Sequence, residues 1–152
     1  MSETVTAPIH GSYRMPSLEH ATVADAMHPG VMSCHPDAGL TEVARIMATH
    51  HVHCLTVMGL SHDDAGESFV WGIITDRDLL ESGIEGSSDT TAKTLARHAI
   101  INVAPATPLR QAGKLMLAHG ASHLVVADPV TQTPLGILST LDVAGVLAWG
   151  EA

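Results

Sequence analysis

The sequence predicts a mixed α+β (α/β) fold, in which two pseudo-symmetric βαββα halves pack through their sheets. The main observation is a motif that occurs twice, at residues 72–78 and 136–142. Both copies read as glycine, two branched apolar residues, a hydroxyl residue, two variable residues and aspartate. An apolar run precedes each copy and an apolar stretch at helical spacing follows it, which predicts a strand, a tight turn and a helix. Two such copies indicate an internal repeat.

The spacing of matched residues supports this duplication. Pro36 and Pro105 lie 69 positions apart, whereas Asp78 and Asp142, beyond the polar segment 61–67, lie 64 positions apart. Insertions are best tolerated in polar turns, so the change of spacing falls where a duplicated fold allows it. One half alone buries little apolar surface, and its strands read as continuous apolar runs. We therefore expect the two sheets to pack face to face around one shared core.

Local patterns place the elements of the first half. Residues 1–20 lack periodicity and predict a tail or an arm laid on the surface. Thr22 is the expected N-cap of a short helix, which the His-Pro-Gly sequence at 28–30 breaks. In the rest of repeat 21–81 we expect a strand at 31–34, an amphipathic helix at 40–50, strands at 54–58 and 69–74 around a polar turn at 61–67, and a helix from Thr75 to Leu80.

The same order restarts after a linker at residues 82–91, which is rich in Gly, Ser and Thr. In repeat 92–148 we expect a short helix at 92–98, a strand at 100–103, a helix from Leu109 through Met116, strands at 124–127 and 135–138, and a helix from Ser139 to about Leu147. Residues 149–152 would form a short C-terminal tail.

Composition excludes several classes of protein. The formal charge of −9, from 7 basic and 16 acidic residues, argues against a nucleic-acid-binding surface. No stretch approaches about 18 uninterrupted apolar residues, so we expect no membrane span, and the N-terminus does not resemble a signal peptide. Cys34 and Cys54 form neither a disulfide framework nor a zinc pattern. A cytoplasmic, reducing location is therefore the default expectation.

The repeated motif has the chemistry to bind a nucleoside phosphate. A helix N-terminus presents N–H groups and the positive end of the helix dipole, and Thr75 or Ser139 adds a hydroxyl there. Asp78 and Asp142 can each accept two hydrogen bonds from the cis-diol of a ribose. The same residues also read as capping boxes, with a hydroxyl N-cap and an acid three positions later. Both roles are compatible, and the duplication at equivalent junctions favours a ligand.

These motifs resemble the cystathionine-β-synthase-type (CBS) domain, and residues 22–148 resemble a tandem pair, or Bateman module. Residues 53–57 and 122–126 are similar to the second strand of the family. The chain is also similar to small stand-alone CBS-pair proteins of actinobacteria, including the hypoxic response protein group. The resemblance implies a regulatory sensor that is not an enzyme and requires no cofactor. It would bind AMP, ADP, ATP or S-adenosylmethionine in clefts between the halves, usually as a disc-like homodimer.

The resemblance also implies which residues contact the ligand. Adenine would lie against the first strand of each half, namely Val31, Met32 and Ser33, and Ile101, Asn102 and Val103. The flanking positions are His53 and Cys54, and Ala121, Ser122 and His123. Together with Thr75, Arg77, Asp78, Ser139 and Asp142, these residues form the predicted site.

The two sites are expected to differ. Arg77 could pair with a phosphate in the first site, whereas Leu141 occupies the equivalent position in the second. We therefore expect the Arg77 site to prefer the more phosphorylated ligand.

Two alternatives remain open from the sequence. One is a structural or interaction CBS pair with degenerate clefts. The other is a histidine-based metal-binding protein, for example a metal-dependent hydrolase, since His51 and His53 would share one face of a strand. The sequence lacks an HExxH motif and Cys/His pairs at zinc spacing, so we predict no metal site. A regulated protein partner would be reached in trans. A homodimer agrees with the apolar residues Val143, Val146, Leu147 and Trp149, which could equally pack within one chain.

Overall fold

The computed structural model describes residues 14–60, 68–86, 89–96 and 101–151. The first half contains α1 (Val23–Ala26), β1 (His28–Pro29), β2 (Ser33–Cys34), α2 (Leu40–His50), β3 (Cys54–Leu60), β4 (Ser68–Thr75) and α3 (Asp76–Glu85). The second half contains α4 (Ala92–Leu95), β5 (Asn102–Val103), α5 (Leu109–His119), β6 (His123–Ala127), β7 (Pro134–Ser139) and α6 (Thr140–Trp149). The predicted mixed α+β class is confirmed.

Within the described ranges, the strands form two sheets that repeat one arrangement. In the first sheet β2 pairs parallel with β3, and β3 pairs antiparallel with β4. In the second sheet β5 pairs parallel with β6, and β6 pairs antiparallel with β7. The register shifts after Val57 in the first sheet and after Val126 in the second. These two residues are equivalent under the 69-residue spacing, so the duplication extends to an irregularity in the backbone.

The short helices and β1 cross between the two halves. Helix α1 packs on the core of the second half, where the backbone N–H of Val23 donates to the carbonyl of Thr107 at 2.9 Å. Strand β1 pairs antiparallel with β7. Helix α4 packs on the first half, where the N–H of Ala92 donates to the carbonyl of Ala38 at 2.7 Å. We call β2, α2, β3, β4, α3 and α4 the first lobe, and the remaining elements the second lobe.

The approach of β1 to β7 requires a glycine. A Cβ atom on Gly136 would collide with the carbonyl oxygen of His28 and press on the sulfur of Met27. The motif glycine of the second half therefore admits a neighbouring backbone strand. Sequence analysis did not predict β1, because the His-Pro-Gly sequence reads locally as a break.

The buried apolar residues form three clusters, counted over the part of the chain that the structure describes. Each lobe has its own core between its helices and its sheet. The first core includes Val43, Met47 and Leu55, and the second includes Leu109, Met116 and Leu124. A smaller cluster, the sheet-junction cluster, joins the two sheets and contains Cys54, Ile73, Val125 and Ile137. The expectation of one shared core is wrong, because the helices cover one face of each sheet.

Several predicted boundaries need correction. Helix α3 runs to Glu85 rather than ending at Leu80, and Gly86 ends it with a left-handed φ of 75°. The first part of the predicted linker is therefore helical. Helix α6 extends to Trp149. The predicted polar turn at 61–67 and the start of the strand predicted at 100–103 lie outside the described residues. The division into repeats 21–81 and 92–148 stays a prediction.

The two ends of the described chain lie together. The N–H of Ser17 donates to the carbonyl of Glu151 at 2.8 Å, and Met15 and Leu18 pack against the second core. Residues 14–20 are therefore laid along the second lobe. Among the described helices, none combines the length and apolar character that a membrane crossing needs.

Candidate ligand-binding site

The two motif aspartates lie at equivalent helix starts and make equivalent contacts. Thr75 is the N-cap of α3, and its N–H and hydroxyl donate to Oδ2 of Asp78 at 2.9 and 3.0 Å. Ser139 is the N-cap of α6, and its N–H donates to Oδ2 of Asp142 at 2.8 Å. In return, the N–H of each aspartate donates to the hydroxyl oxygen of its N-cap. The capping boxes anticipated from the sequence are thus formed at both junctions.

Both carboxylates are held away from bulk water. Asp78 is only 8% exposed, and the side chain of Asp142 is 5% exposed. Buried carboxylates require hydrogen-bond partners, and the capping contacts supply them. The fold thus holds two carboxylates in a defined orientation, one in the first turn of each motif helix.

The first backbone amide of each motif helix already has a protein partner. The N–H of Asp76 donates to the carbonyl of His53 at 3.0 Å, and the N–H of Thr140 donates to the carbonyl of Ser122 at 3.0 Å. The N–H of Arg77 donates to Oδ1 of Asp76 at 2.9 Å. A phosphate at the start of α3 would therefore compete with the His53 carbonyl for the N–H of Asp76 and with the Asp76 carboxylate for the N–H of Arg77. A helix N-terminus generally offers unpaired N–H groups to an anion, but the first N–H groups of these two helices are already paired within the protein.

A histidine and carboxylate group links the two lobes. Nδ1 of His53 lies 2.8 Å from Oδ2 of Asp76, and this hydrogen bond lowers the pKa of the Asp76 carboxyl. Burial lowers the pKa of His123, while the charges of Asp76 and Asp142 oppose that shift. Asp76 belongs to the first lobe and Asp142 to the second, so His123 lies within the electrostatic reach of both. We call His53, Asp76, His123 and Asp142 the interlobe polar group.

Asp142 has a second partner that sequence analysis did not anticipate. Nδ1 of His28, in β1, lies 2.8 Å from Oδ1 of Asp142. The Asp142 carboxylate thus contacts its own N-cap through one oxygen and a residue of β1 through the other. The imidazole of His28 is 78% exposed, so it covers the carboxylate from the solvent side.

Arg77 faces solvent rather than the interlobe polar group. Its Nε lies 3.2 Å from Oε1 of Glu81, one helical turn along α3, and its side chain is 79% exposed. Glu81 pairs with this arginine, and two further acidic residues, Asp76 and Asp78, flank it in the sequence. The expected preference of this site for highly phosphorylated ligands has little electrostatic support in this arrangement.

The residues predicted to contact adenine occupy equivalent edges of the two sheets. Val31, Met32 and Ile101 are half-buried, and Ser33 and Asn102 are exposed. The carbonyl of Met32 accepts from the N–H of Thr56 at 2.9 Å, and the carbonyl of Ile101 accepts from the N–H of Val125 at 3.1 Å.

Other predicted contacts lie deeper. Val103 is 6% exposed and belongs to the second core, so its side chain is turned away from a surface ligand. Cys54 lies in the sheet-junction cluster, and burial raises the pKa of its thiol to about 12. Ala121 is half-buried beside the start of β6. The assignment of these residues to a ligand site stays a prediction.

A groove of about 340 Å³ lies beside the interlobe polar group, on the first lobe between α2 and α3. It is lined by Ala44, Met47, Ala48, His51, Val52, His53, Asp76 and Leu79. Of the residues predicted to contact the ligand, the groove includes His53. The groove is mainly apolar, with the His53–Asp76 pair at its polar end.

Sequence reasoning missed His28 and Asp76 for different reasons. The His53–Asp76 contact could have been predicted from the strand pairing, because the β3–β4 register that pairs Cys54 with Thr75 places His53 beside residue 76. No local pattern connects His28 with Asp142, since their contact depends on the crossing of β1 to β7. Within the described ranges, no group of three or more His, Cys, Asp or Glu side chains is arranged to hold a metal ion.

Comparison with known families identifies both repeats. The model of the CBS domain matches residues 23–85 and again residues 92–148. The chain belongs to the CBS domain family. The two matches begin at α1 and α4, the helices that cross between the lobes, so each CBS repeat contributes its first helix to the opposite lobe.

Solved structures of other CBS pairs share the fold. The CBS domain pair of protein MJ0100, in complex with 5′-methylthioadenosine and S-adenosyl-L-methionine, is 20% identical, with a TM-score of 0.72 over 84% of this chain and 96% of that chain. CBSX2 in complex with AMP is 23% identical, with a TM-score of 0.63 over 81% and 93%. Hypoxic Response Protein I with two coordinated zinc ions is 25% identical, with a TM-score of 0.63 over 82% and 97%. No curated protein sequence matches significantly.

Proposed function

We propose that this CBS pair is a non-catalytic regulatory sensor that binds adenosyl ligands at its two motif junctions. The observation that carries the proposal is the pair of buried carboxylates, Asp78 and Asp142, each held in a capping box at the start of its motif helix. Structural neighbours that hold AMP, S-adenosylmethionine or methylthioadenosine support the ligand class. The ligand would shift the balance between arrangements of the two lobes, and that shift would be read by a separate protein partner in the cytoplasm.

The proposed contacts follow from the carboxylate geometry. A carboxylate has about four acceptor sites, so Asp78 or Asp142 can cap its helix and also accept from a ribose diol. Thr75 and Ser139 would add a hydroxyl at the same place. The adenine would contact the sheet edges that line the two clefts, namely Val31, Met32 and Ser33 in one and Ile101 and Asn102 in the other. His53 and His123 would flank these clefts.

The charges around Arg77 favour ligands that carry little negative charge. Asp76, Asp78 and Glu81 outnumber Arg77 at the start of α3. We therefore propose that S-adenosylmethionine or AMP binds the first junction better than ADP or ATP. This reverses the order expected from the sequence, where Arg77 was considered without Asp76 and Glu81.

Isothermal titration with AMP, ADP, ATP and S-adenosylmethionine tests the proposal. Asp78→Asn and Asp142→Asn should each weaken binding at one junction. The matched control is Asp25→Asn, because Asp25 forms the same capping box with Thr22, at 2.8 Å to its N–H, on a helix outside the repeated motif. All three variants perturb a cap, but only the two motif variants should lose ligand. Equal losses in the control would contradict a ligand role for the motif carboxylates.

We also propose a homodimer through the exposed helix faces. Large apolar side chains are exposed on α3, α5 and α6, namely Leu80, Ile84, Leu117, Leu141 and Leu147. Val146 is buried in the second core and Val143 packs against it, so those two serve the fold. Light scattering after size-exclusion chromatography should show a dimer that Leu80→Glu with Ile84→Glu converts to a monomer. A wild-type monomer at micromolar concentration would contradict this part of the proposal.

Zinc is the remaining alternative, because Hypoxic Response Protein I is a structural neighbour with two zinc ions. The described residues offer no ready set of ligands. Thermal stabilisation by Zn²⁺ alone, lost in a His51→Ala/His53→Ala variant, would favour the metal over the adenosyl ligand.

A further inference from the structure

The second motif junction contains its own competitor for a ligand. Oδ1 of Asp142 lies 2.8 Å from Nδ1 of His28, and Oδ2 accepts from the N–H of Ser139. The carboxylate side chain is therefore only 5% exposed, although it lies at the start of a surface helix. A ribose can reach it only if one of these partners moves.

His28 is the partner that can move at the lower cost. Its imidazole is 78% exposed, so few contacts besides the one with Asp142 hold it. The N-cap contact of Ser139, in contrast, is part of the backbone at the start of α6 and satisfies a helix donor. A charge-assisted hydrogen bond to a carboxylate is nevertheless strong enough to compete with a hydroxyl donor.

The position of His28 is set by the fold. Strand β1 pairs His28 with Ile137 and Pro29 with Gly136, so the backbone of residue 28 is fixed beside β7, five positions before Asp142. Gly136 has no Cβ and so permits this approach. Rotation about the side-chain bonds of His28 can therefore uncover Asp142 while β1 stays paired.

We propose that His28 closes the Asp142 site and that an adenosyl ligand must displace its imidazole to bind there. This inference rests on the proposed function, and it names a specificity-determining residue that lies outside the repeated motif. Among the residues that the structure describes, His123 lies within the electrostatic reach of Asp142, and Asp76, across the lobe boundary, lies within the reach of His123. His28 therefore acts on the second junction, where its imidazole contacts Asp142.

The test is titration of AMP into the full chain carrying Asp78→Asn, which leaves the second junction as the site under study. In this background, His28→Ala should bind AMP about tenfold more tightly, because a charge-assisted hydrogen bond no longer has to be broken. His28→Asn keeps an N–H donor near the position of Nδ1 without the imidazole ring, so its gain should be smaller. His35→Ala, an exposed histidine 3.7 Å from Asp37, is the matched control and should not change the affinity.

The outcomes separate the two proposals. A gain in His28→Ala that disappears when Asp142→Asn is added supports the competitor role. AMP binding that is unchanged or weaker in His28→Ala overturns this inference and leaves the proposed function standing. The absence of binding in every variant, including His28→Ala and His28→Asn, overturns both. Because the His28 side chain is exposed, circular dichroism should show that each variant keeps the wild-type fold.

Discussion

Nδ1 of His53 lies 2.8 Å from Oδ2 of Asp76, and this contact joins the residue before β3 to the first residue of α3. The carboxylate accepts the hydrogen bond, so the imidazole donates from Nδ1. Both side chains are more than half exposed, and exposed pairs contribute little to stability. Their importance lies instead in the charge that Asp76 presents to His123 across the lobe boundary.

The stability of the protein should fall as the pH decreases from 7 to 5, partly through His123. Burial lowers the pKa of His123 in the folded state, below the value of about 6.5 for an unfolded chain. The unfolded state therefore binds more protons in this window, and stability is lost as pH falls through about 6.5. His123→Gln should flatten the dependence of Tm on pH. A slope of Tm against pH that is identical in His123→Gln and wild type would contradict this assignment.

Gly136→Ala should destabilise the protein by about 2 kcal/mol, because its Cβ would strike the backbone of His28. Gly145 in α6 is the matched control, since a Cβ there meets nothing within 4 Å. Gly145→Ala should stabilise the helix by about 0.5–1 kcal/mol. Urea unfolding measures both changes. Equal effects of the two substitutions would show that β1 does not lie closely against β7.

Val23→Ala should weaken the second lobe rather than the first. Val23 is fully buried among second-core residues, although it belongs to the first repeat. Removing two buried methyl groups should cost about 2 kcal/mol. Compared with wild type, the variant should show a larger increase in the amide hydrogen-exchange rates of β6 and β7 than in those of β3. An increase confined to β3 would contradict the packing of α1 on the second lobe.

His51→Gly should stabilise the protein by about 1 kcal/mol. His51 ends α2 with a left-handed φ of 53°, which disfavours a side chain, whereas the equivalent residue of α5 is Gly120 with a φ of 58°. Gly120→Ala is the reciprocal variant and should destabilise by a similar amount. Thermal unfolding of the two variants tests the pair. A destabilised His51→Gly variant would show that the imidazole of His51, which lines the groove, makes compensating contacts.

Cys54 should be inert toward a thiol reagent in the folded protein at pH 8. Burial in the sheet-junction cluster raises its pKa to about 12, so little of the reactive thiolate is present. The pKa of Cys34 is also raised by burial. Both cysteines should react promptly in denaturant with Ellman's reagent. Fast labelling of Cys54 in a Cys34→Ala variant under native conditions would indicate that the two sheets separate.

Local sequence was sufficient to predict the motif junctions and the amphipathic helix α2. Thr75 and Ser139 begin helices because a hydroxyl and an acid three positions later recreate the same cap wherever they occur. The 69-residue spacing was sufficient to predict the duplication. Helix α3 continued past Leu80 through Ser82 and Gly83, residues that are poor helix formers, and ended where Gly86 adopts a positive φ.

What the sequence could not show depends on contacts between distant residues. Strand β1 has two residues, and its partner β7 lies in the other repeat. The approach of His28 to Asp142 follows from that pairing, so no spacing rule within either repeat contains it. The same holds for the lobe assignment of α1 and α4, since their apolar residues would suit either core.

The exchange of short helices has a consequence for the integrity of the chain. Suppose that the chain were cut between α3 and α4. The N-terminal fragment would still insert α1, with the fully buried Val23, into the second lobe, and the C-terminal fragment would insert α4, with the fully buried Ala92, into the first lobe. The nicked halves would stay associated without any covalent link. A polypeptide carrying a single repeat would, by the same geometry, complete itself only by trading its first helix with a second molecule.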